Sequence, residues 1–281
     1  LAIRKKFGLF ANIRPIKVYQ HLLDASPIKP QYLDGVDMLV VRELTGGLYF
    51  ARPKKRWKTS KGRKGVDTLL YTEQEIVRIL RMGFEFALNR RKLLTSVDKF
   101  NVLESSRLWR EIAIELSQEY PEVTLEHILV DNASMQLIRN PSHFDVIVAE
   151  NTFGDILTDE ASVLTGSMGM IPSASLSSLP LSQGRTNRRQ TKLKQALYEP
   201  IHGAAPDIAG RGVANPIGAI LSLAMLLRYS LGLELEANLI EDVVTSVFSE
   251  GYHTLDIAVS GGTLVGTSEM GDIISNKLKH Y

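Results

Sequence analysis

Short apolar runs of strand length alternate with amphipathic helical segments along most of this sequence, an order that dictates a sheet covered by helices. Residues 10–19 read as extended and 38–42 as a short buried strand. Thr72 and Glu75 have the spacing of a capping box, opening a helix with Ile76, Ile79, Leu80 and Gly83 on one face. That helix is expected to end near Arg90-Arg91-Lys92, where positive charge suits the helix dipole. There follow a strand ending at Asp98, a helix over 104–120, a strand over 123–130, a short helix, a strand over 144–149 and a helix from Phe153. Residues 1–10 read as an amphipathic helix. Segments 164–181 (Gly, Ser and Pro) and 183–195 (polar and basic) read as loops. A turn-rich stretch over 203–216 precedes helices at 217–231, 235–250 and 268–279. The fold class is α/β with a substantial parallel component.

At 281 residues, the chain has room for one large or two moderate domains. Its 44% hydrophobic and 23% charged residues exclude disorder as the whole answer. The 33 basic and 31 acidic residues leave a net charge of +2, too little for a global field directed at nucleic acid or a membrane surface. The basic stretches 54–64 and 185–194 therefore read as solvated loops, with no nucleic-acid partner expected. No apolar run reaches the roughly 20 residues needed to span a bilayer, so no membrane partner is expected either. The absence of cysteine rules out disulfides, thiolate metal sites and a cysteine nucleophile.

Neither a G-x-G-x-x-G fingerprint nor a Walker A pattern occurs. Ionisable residues instead follow strands, where open α/β sheets bind ligands: Arg42, Lys99 and Asp131. Asp155 and Asp159 stand at i and i+4, on one helical face, where two like charges repel unless a cation lies between them. A hard divalent ion such as Mg²⁺ or Mn²⁺ would remove that repulsion, and a solvated acidic face is the plain alternative. Arg4, Arg14 and Arg42 have the side-chain type that clamps carboxylates, although each taken singly reads first as a surface or ion-paired arginine. Tyr49 follows Gly46-Gly47, where the backbone can approach a ligand, or else it is a half-buried aromatic in a hairpin.

Several motifs in order resemble the 3-isopropylmalate dehydrogenases, a branch of the β-decarboxylating dehydrogenases. They are Arg42-Glu43-Leu44-Thr45-Gly46-Gly47-Leu48-Tyr49-Phe50, Val97-Asp98-Lys99, Asn101-Val102-Leu103-Glu104-Ser105-Ser106, Phe153-Gly154-Asp155-Ile156-Leu157-Thr158-Asp159-Glu160 and Pro172-Ser173-Ala174-Ser175-Leu176. Glu199-Pro200-Ile201-His202-Gly203-Ala204-Ala205-Pro206-Asp207-Ile208-Ala209-Gly210 with Ala214-Asn215-Pro216 completes the set. The Leu-Thr-Gly-Gly form before the tyrosine points to the isopropylmalate branch; isocitrate, homoisocitrate and tartrate relatives, and an inactive remnant, are the alternatives.

The resemblance implies a two-domain isocitrate/isopropylmalate dehydrogenase-like fold. Residues 10–165 would form the central substrate, metal and dimerisation domain, and 1–9 with 166–281 a nucleotide-binding domain lacking its opening elements. It implies NAD-dependent oxidative decarboxylation of 3-isopropylmalate to 2-oxoisocaproate in leucine biosynthesis, in the cytoplasm of a bacterium. By the same resemblance Arg4, Arg14 and Arg42 hold the substrate carboxylates, Asp131, Asp155 and Asp159 the Mg²⁺ or Mn²⁺, and Asp131 also meets substrate. Lys99 is the base and Tyr49 the acid. Lys99 and Asp131 would reach the neighbouring subunit's site, which makes the active form a homodimer. His202, Gly203, Ala204, Ala205, Pro206, Asp207, Ile208 and Asn215 fall in the cofactor loop, with Asp207 on the ribose favouring NAD over NADP. Three departures stand out: Phe100 beside the base, Ala204 in place of a serine, and a long basic stretch over 183–195. With the opening elements lacking, the 281-residue chain alone is expected to be nearly inactive.

Overall fold

The computed structural model describes residues 2–180 and 195–280. The strands in chain order are β1 (Ala11–Lys17), β2 (Asp37–Glu43), β3 (Lys55–Thr59), β4 (Gly62–Val66), β5 (Leu93–Asp98), β6 (Thr124–Leu129), β7 (Val146–Ala149), β8 (Pro172–Leu176), β9 (Ala196–Pro200), β10 (Tyr252–His253) and β11 (Thr263–Leu264). The helices are α1 (Ala2–Lys6), α2 (Glu73–Leu88), α3 (Glu104–Ser117), α4 (Val130–Arg139), α5 (Asn151–Ser162), α6 (Ile217–Leu226), α7 (Glu234–Ser249) and α8 (Thr267–Leu278).

Seven strands form one sheet in the order β6-β5-β7-β2-β1-β8-β9. The four from β6 to β2 run parallel, whereas β1 is antiparallel to both of its neighbours and β9 to β8. Within the parallel part β5, β7 and β2 are buried on both faces, as helical crossovers require, while the edge strand β6 is half-buried. Leu39, Val41, Val146 and Val148 meet α2 and α3 on one face. Met38, Val40, Ile147 and Ala149 meet Leu137 of α4 and Leu157 of α5 on the other, where the core continues to Val243 of α7 and Ile274 of α8. The period-2 alternation along each strand thus feeds two cores. No helix of the described residues is long and apolar enough to cross a membrane.

Thr72 caps α2 reciprocally with Glu75, as its spacing predicts. Other expectations are corrected. Residues 2–10 hold only the five-residue α1, because Gly8 turns the chain at positive φ into β1. The α2 helix does end near the basic run, at Leu88, but Arg90 there reaches Asp37 and the buried Asp145 rather than the helix terminus. Segment 164–181 is not all loop. Pro172–Leu176 is a fully buried strand, since small side chains suit a crowded position between β1 and β9. Residues 54–64 are largely the β3–β4 hairpin. The basic stretch 183–195 lies, but for Gln195, outside the described residues.

Candidate active site

Asn12 of β1 is the cross-strand partner of Arg42 on β2, so Asn12, Arg14 and Arg42 rise from the same face of the sheet. Helix α5 crosses that face and presents Asn151, Asp155, Thr158 and Asp159, spaced to lie along one side of a helix. Glu150 fixes where α5 begins, its carboxylate accepting from the Phe153 N–H at 2.8 Å. Gly154 makes the approach possible: a Cβ there would stand 2.7 Å from Arg42 Cγ.

Arg42 is buried. Its guanidinium pairs with Asp155 Oδ1 and donates from Nη2 to Asn151 Oδ1 at 2.8 Å. The Tyr49 hydroxyl donates to the other Asp155 oxygen at 2.9 Å. Tyr49 sits in a tight turn over Gly47–Tyr49, not in a hairpin. Glu43 closes that turn by accepting from the Thr45 and Gly46 backbone at 2.9 and 2.8 Å. Arg14, also buried, donates from Nε to Asn12 Oδ1 at 2.6 Å and from Nη1 to Thr158 Oγ1 at 2.5 Å, with Asp159 at 3.6 Å.

Burial, then the positive charge of Arg42, pulls the Arg14 pKa down to about 10; burial likewise lowers that of Arg42. Both stay charged near neutrality, and the clustered positive charge favours an anionic ligand. Arg4, on α1, adds its charge to the field at both and lies 4.0 Å from Glu199. Tyr49 is shifted upward, by burial first and then by its bond to the Asp155 carboxylate, so its phenol holds its proton.

Lys99 and Asp131 stand apart from this cluster within the chain. Lys99 Nζ donates to Asp131 Oδ1 at 2.6 Å, which is the ion pair open to it from sequence, while Asp98 is engaged by Arg110 instead. Among the described residues, no three carboxylate or imidazole groups of one chain gather to hold a metal ion. Asp155 and Asp159 nevertheless suit Mg²⁺ or Mn²⁺. They are two carboxylates one turn apart, and Asp159 is 59% exposed with Arg14 its ion-pair partner among the described residues. Hard cations of this kind take one or two protein carboxylates and complete their shell from substrate and water. The Phe100 ring lies over the Arg110 guanidinium, 3.7 Å away.

In the stretch from His202 to Asp207 every residue is exposed, and Ala205 has φ of 42°. A Cβ at Gly203 or Gly210 would meet nothing within 4 Å, so the loop presents open backbone of the kind a dinucleotide approaches. Ile208 is half-buried. Asn215 lies apart from the exposed loop: its side chain donates to Asp256 and Met170 and accepts from the Ile217 N–H. Sequence reading missed Asn12, Glu43, Glu150, Asn151 and Thr158, the residues that hold the arginines and the turn. The Glu-Asn pair before Thr152, placed as a cap, was the available signal.

The sequence model described as "Isocitrate/isopropylmalate dehydrogenase" matches residues 1–274. The chain is 57% identical over 279 residues to a 3-isopropylmalate dehydrogenase of Dehalococcoides mccartyi, covering 99% of this chain and 74% of that protein. It is 58% identical over 261 residues to that of Bacillus subtilis, covering 92% and 68%. Among solved structures, isocitrate dehydrogenase from Methylococcus capsulatus superposes with a TM-score of 0.83 at 32% identity, over 99% of this chain and 76% of that one. A β-decarboxylating dehydrogenase from Thermococcus kodakarensis gives 0.76 at 35% identity, over 99% and 72%. With the motifs in order along the chain, these likenesses make it a member of the isocitrate/isopropylmalate dehydrogenase family.

Proposed function

We propose that this protein is an NAD-dependent oxidoreductase that converts 3-isopropylmalate to 2-oxoisocaproate and CO₂, a step of leucine biosynthesis, in the cytoplasm. The observation that carries the reading is the single cluster in which Arg14, Arg42, Tyr49 and Asp155 meet over one face of the sheet. Arg4, Arg14 and Arg42 would bind the two substrate carboxylates, and Asp155 and Asp159 would hold Mg²⁺ or Mn²⁺ together with Asp131 of a second copy. When bound, the cation supplies Lewis-acid polarisation of the substrate oxygen, and NAD accepts the hydride.

Lys99 of that second copy would take the proton of the substrate hydroxyl, the C–H hydride being what NAD⁺ would accept when bound. Loss of the β-carboxylate as CO₂ leaves an enolate, to whose carbon Tyr49 delivers a proton. The open loop from His202 to Ile208 would receive the dinucleotide, with Asp207 accepting from its ribose hydroxyl. Shared sites make the working form a homodimer. We assign residues 10–165 to the substrate and dimer domain and the remainder to the nucleotide-binding domain, which joins it through β8 and β9 of the same sheet.

Isocitrate has less support as substrate, because identity to the isocitrate dehydrogenase is 32% against 57% to the isopropylmalate enzyme. The test is NADH formation with NAD and Mg²⁺ by the 281-residue chain and by a form with the upstream segment restored, each offered 3-isopropylmalate, isocitrate, homoisocitrate or tartrate in turn. Turnover of isopropylmalate is expected of the restored form and little of the short chain; preference for another hydroxyacid would overturn the assignment.

A further inference from the structure

Asn151 is 1% exposed and lies between two functional groups that come from different segments. A guanidinium carries only donors, so the Asn151 oxygen must face Arg42. It accepts from Arg42 Nε at 3.2 Å and Nη2 at 2.8 Å. The Asn151 amide nitrogen then faces away and donates to the Gly46 carbonyl at 3.2 Å, at the entry to the turn that carries Tyr49.

The backbone beneath is pinned as well. The Asn151 N–H donates to the Tyr71 hydroxyl at 2.9 Å, and that hydroxyl donates to Glu150 at 3.1 Å. The Tyr71 side chain fills the space beside Gly46 and Gly47, where a Cβ would come within 2.5 Å of its ring or 2.4 Å of its hydroxyl. The turn is thus held by Tyr71 from below and by the Asn151 amide from the side.

We infer that Asn151 is a positioning residue that couples the Arg42 guanidinium to the turn bearing Tyr49, so that carboxylate binding and proton delivery share one geometry. The inference rests on the reading of Arg42 and Tyr49 proposed above. Misplacing a catalytic group by about an ångström can cost on the order of a hundredfold in rate. For Asn151→Ala we expect kcat to fall about tenfold and KM to rise about tenfold.

The discriminating measurement is a pair of double-mutant cycles. If Asn151 acts through Tyr49, Asn151→Ala lowers kcat by less than about threefold once Tyr49→Phe is in place. If it acts through Arg42, its effect on KM shrinks similarly in Arg42→Lys. Full multiplication of the losses in both backgrounds would overturn the coupling, as would a folded Asn151→Ala with unchanged kcat and KM. A readout that needs no substrate separates this inference from the function. Amide exchange at Gly47 and Ala51, whose N–H groups donate to the Leu70 and Gly47 carbonyls, should quicken at least tenfold in Asn151→Ala. Silence toward isopropylmalate in the form with the upstream segment restored would defeat the proposed function, while unchanged exchange would defeat the coupling. Should Asn151→Ala not fold, Asn151→Ser is read in the same way, and loss of the fold in both would make Asn151 a stability residue and sink the proposal.

Discussion

Tyr49 and Asp155 share a hydrogen bond of 2.9 Å, on a carboxylate whose other oxygen is held by Arg42. The bond aims the phenol and helps raise its pKa, which suits a donor that must keep its proton until the enolate forms. General acid catalysis contributes roughly 10²–10⁴-fold. Tyr49→Phe is expected to lower kcat about 100-fold and to change KM by less than about threefold. Steady-state kinetics check this, and an unchanged kcat would place the acid elsewhere.

Lys99 and Asp131 pair with each other away from Asp155, which suits a site completed by a second copy. Lys99→Met and Asp155→Asn should each be inactive alone. Mixed after dissociation, they should recover about a quarter of wild-type activity, since half of the dimers are mixed and each has one intact site. No recovery in verified mixed dimers would refute shared sites.

Glu150 has its pKa raised, chiefly by burial. A carboxyl raised in the folded state is penalised as it ionises: the penalty is absent below the unfolded pKa and fully imposed above the folded one. Stability from this group therefore falls as pH rises through that window. Glu150→Gln, which keeps an oxygen for the Phe153 N–H, should gain stability relative to wild type between about pH 4 and pH 7. Urea unfolding at the two pH values measures it; a difference independent of pH would contradict the burial argument.

On the β3–β4 hairpin, Lys55, Arg56, Lys58, Lys61, Arg63 and Lys64 have no acidic ion-pair partner among the described residues, and Lys58 stands opposite Arg63. Such a face could attract a polyanion at low ionic strength, with affinity falling steeply as salt is added. We expect no nucleic-acid binding of consequence near physiological salt. Fluorescence anisotropy against salt concentration tests this, and sub-micromolar affinity at physiological salt would add a second partner class.

The Thr72 cap gives a plain stability test. Its hydroxyl accepts from the Glu75 N–H, and Glu75 reaches back to the Thr72 N–H at 2.9 Å. Thr72→Ala should cost about 1 kcal/mol, a typical value for a lost N-cap, with no change in KM. A stability unchanged in chemical denaturation would show that the cap is redundant with the packing of α2.

The features legible in the sequence are those whose physics acts over a few residues. The Thr72–Glu75 cap, the apolar face of α2, the short apolar runs of β2 and β7, and the placement of Asp155 and Asp159 one turn apart all follow from helical periodicity or strand-length apolar runs. The family motifs carried the candidate site residues for the same reason, being short and contiguous. Tertiary structure alone decided the rest. Pro172–Leu176 has the composition of a loop and becomes a strand because β1 and β9 supply its backbone partners. Arg42 meets Asn151 and Asp155, and Arg14 meets Thr158, across more than a hundred residues, because β1 and β2 pair beneath α5. Burial then turns these contacts into function: it removes the water that would screen two arginines, and leaves Asn12, Asn151 and Thr158 as the groups that satisfy them.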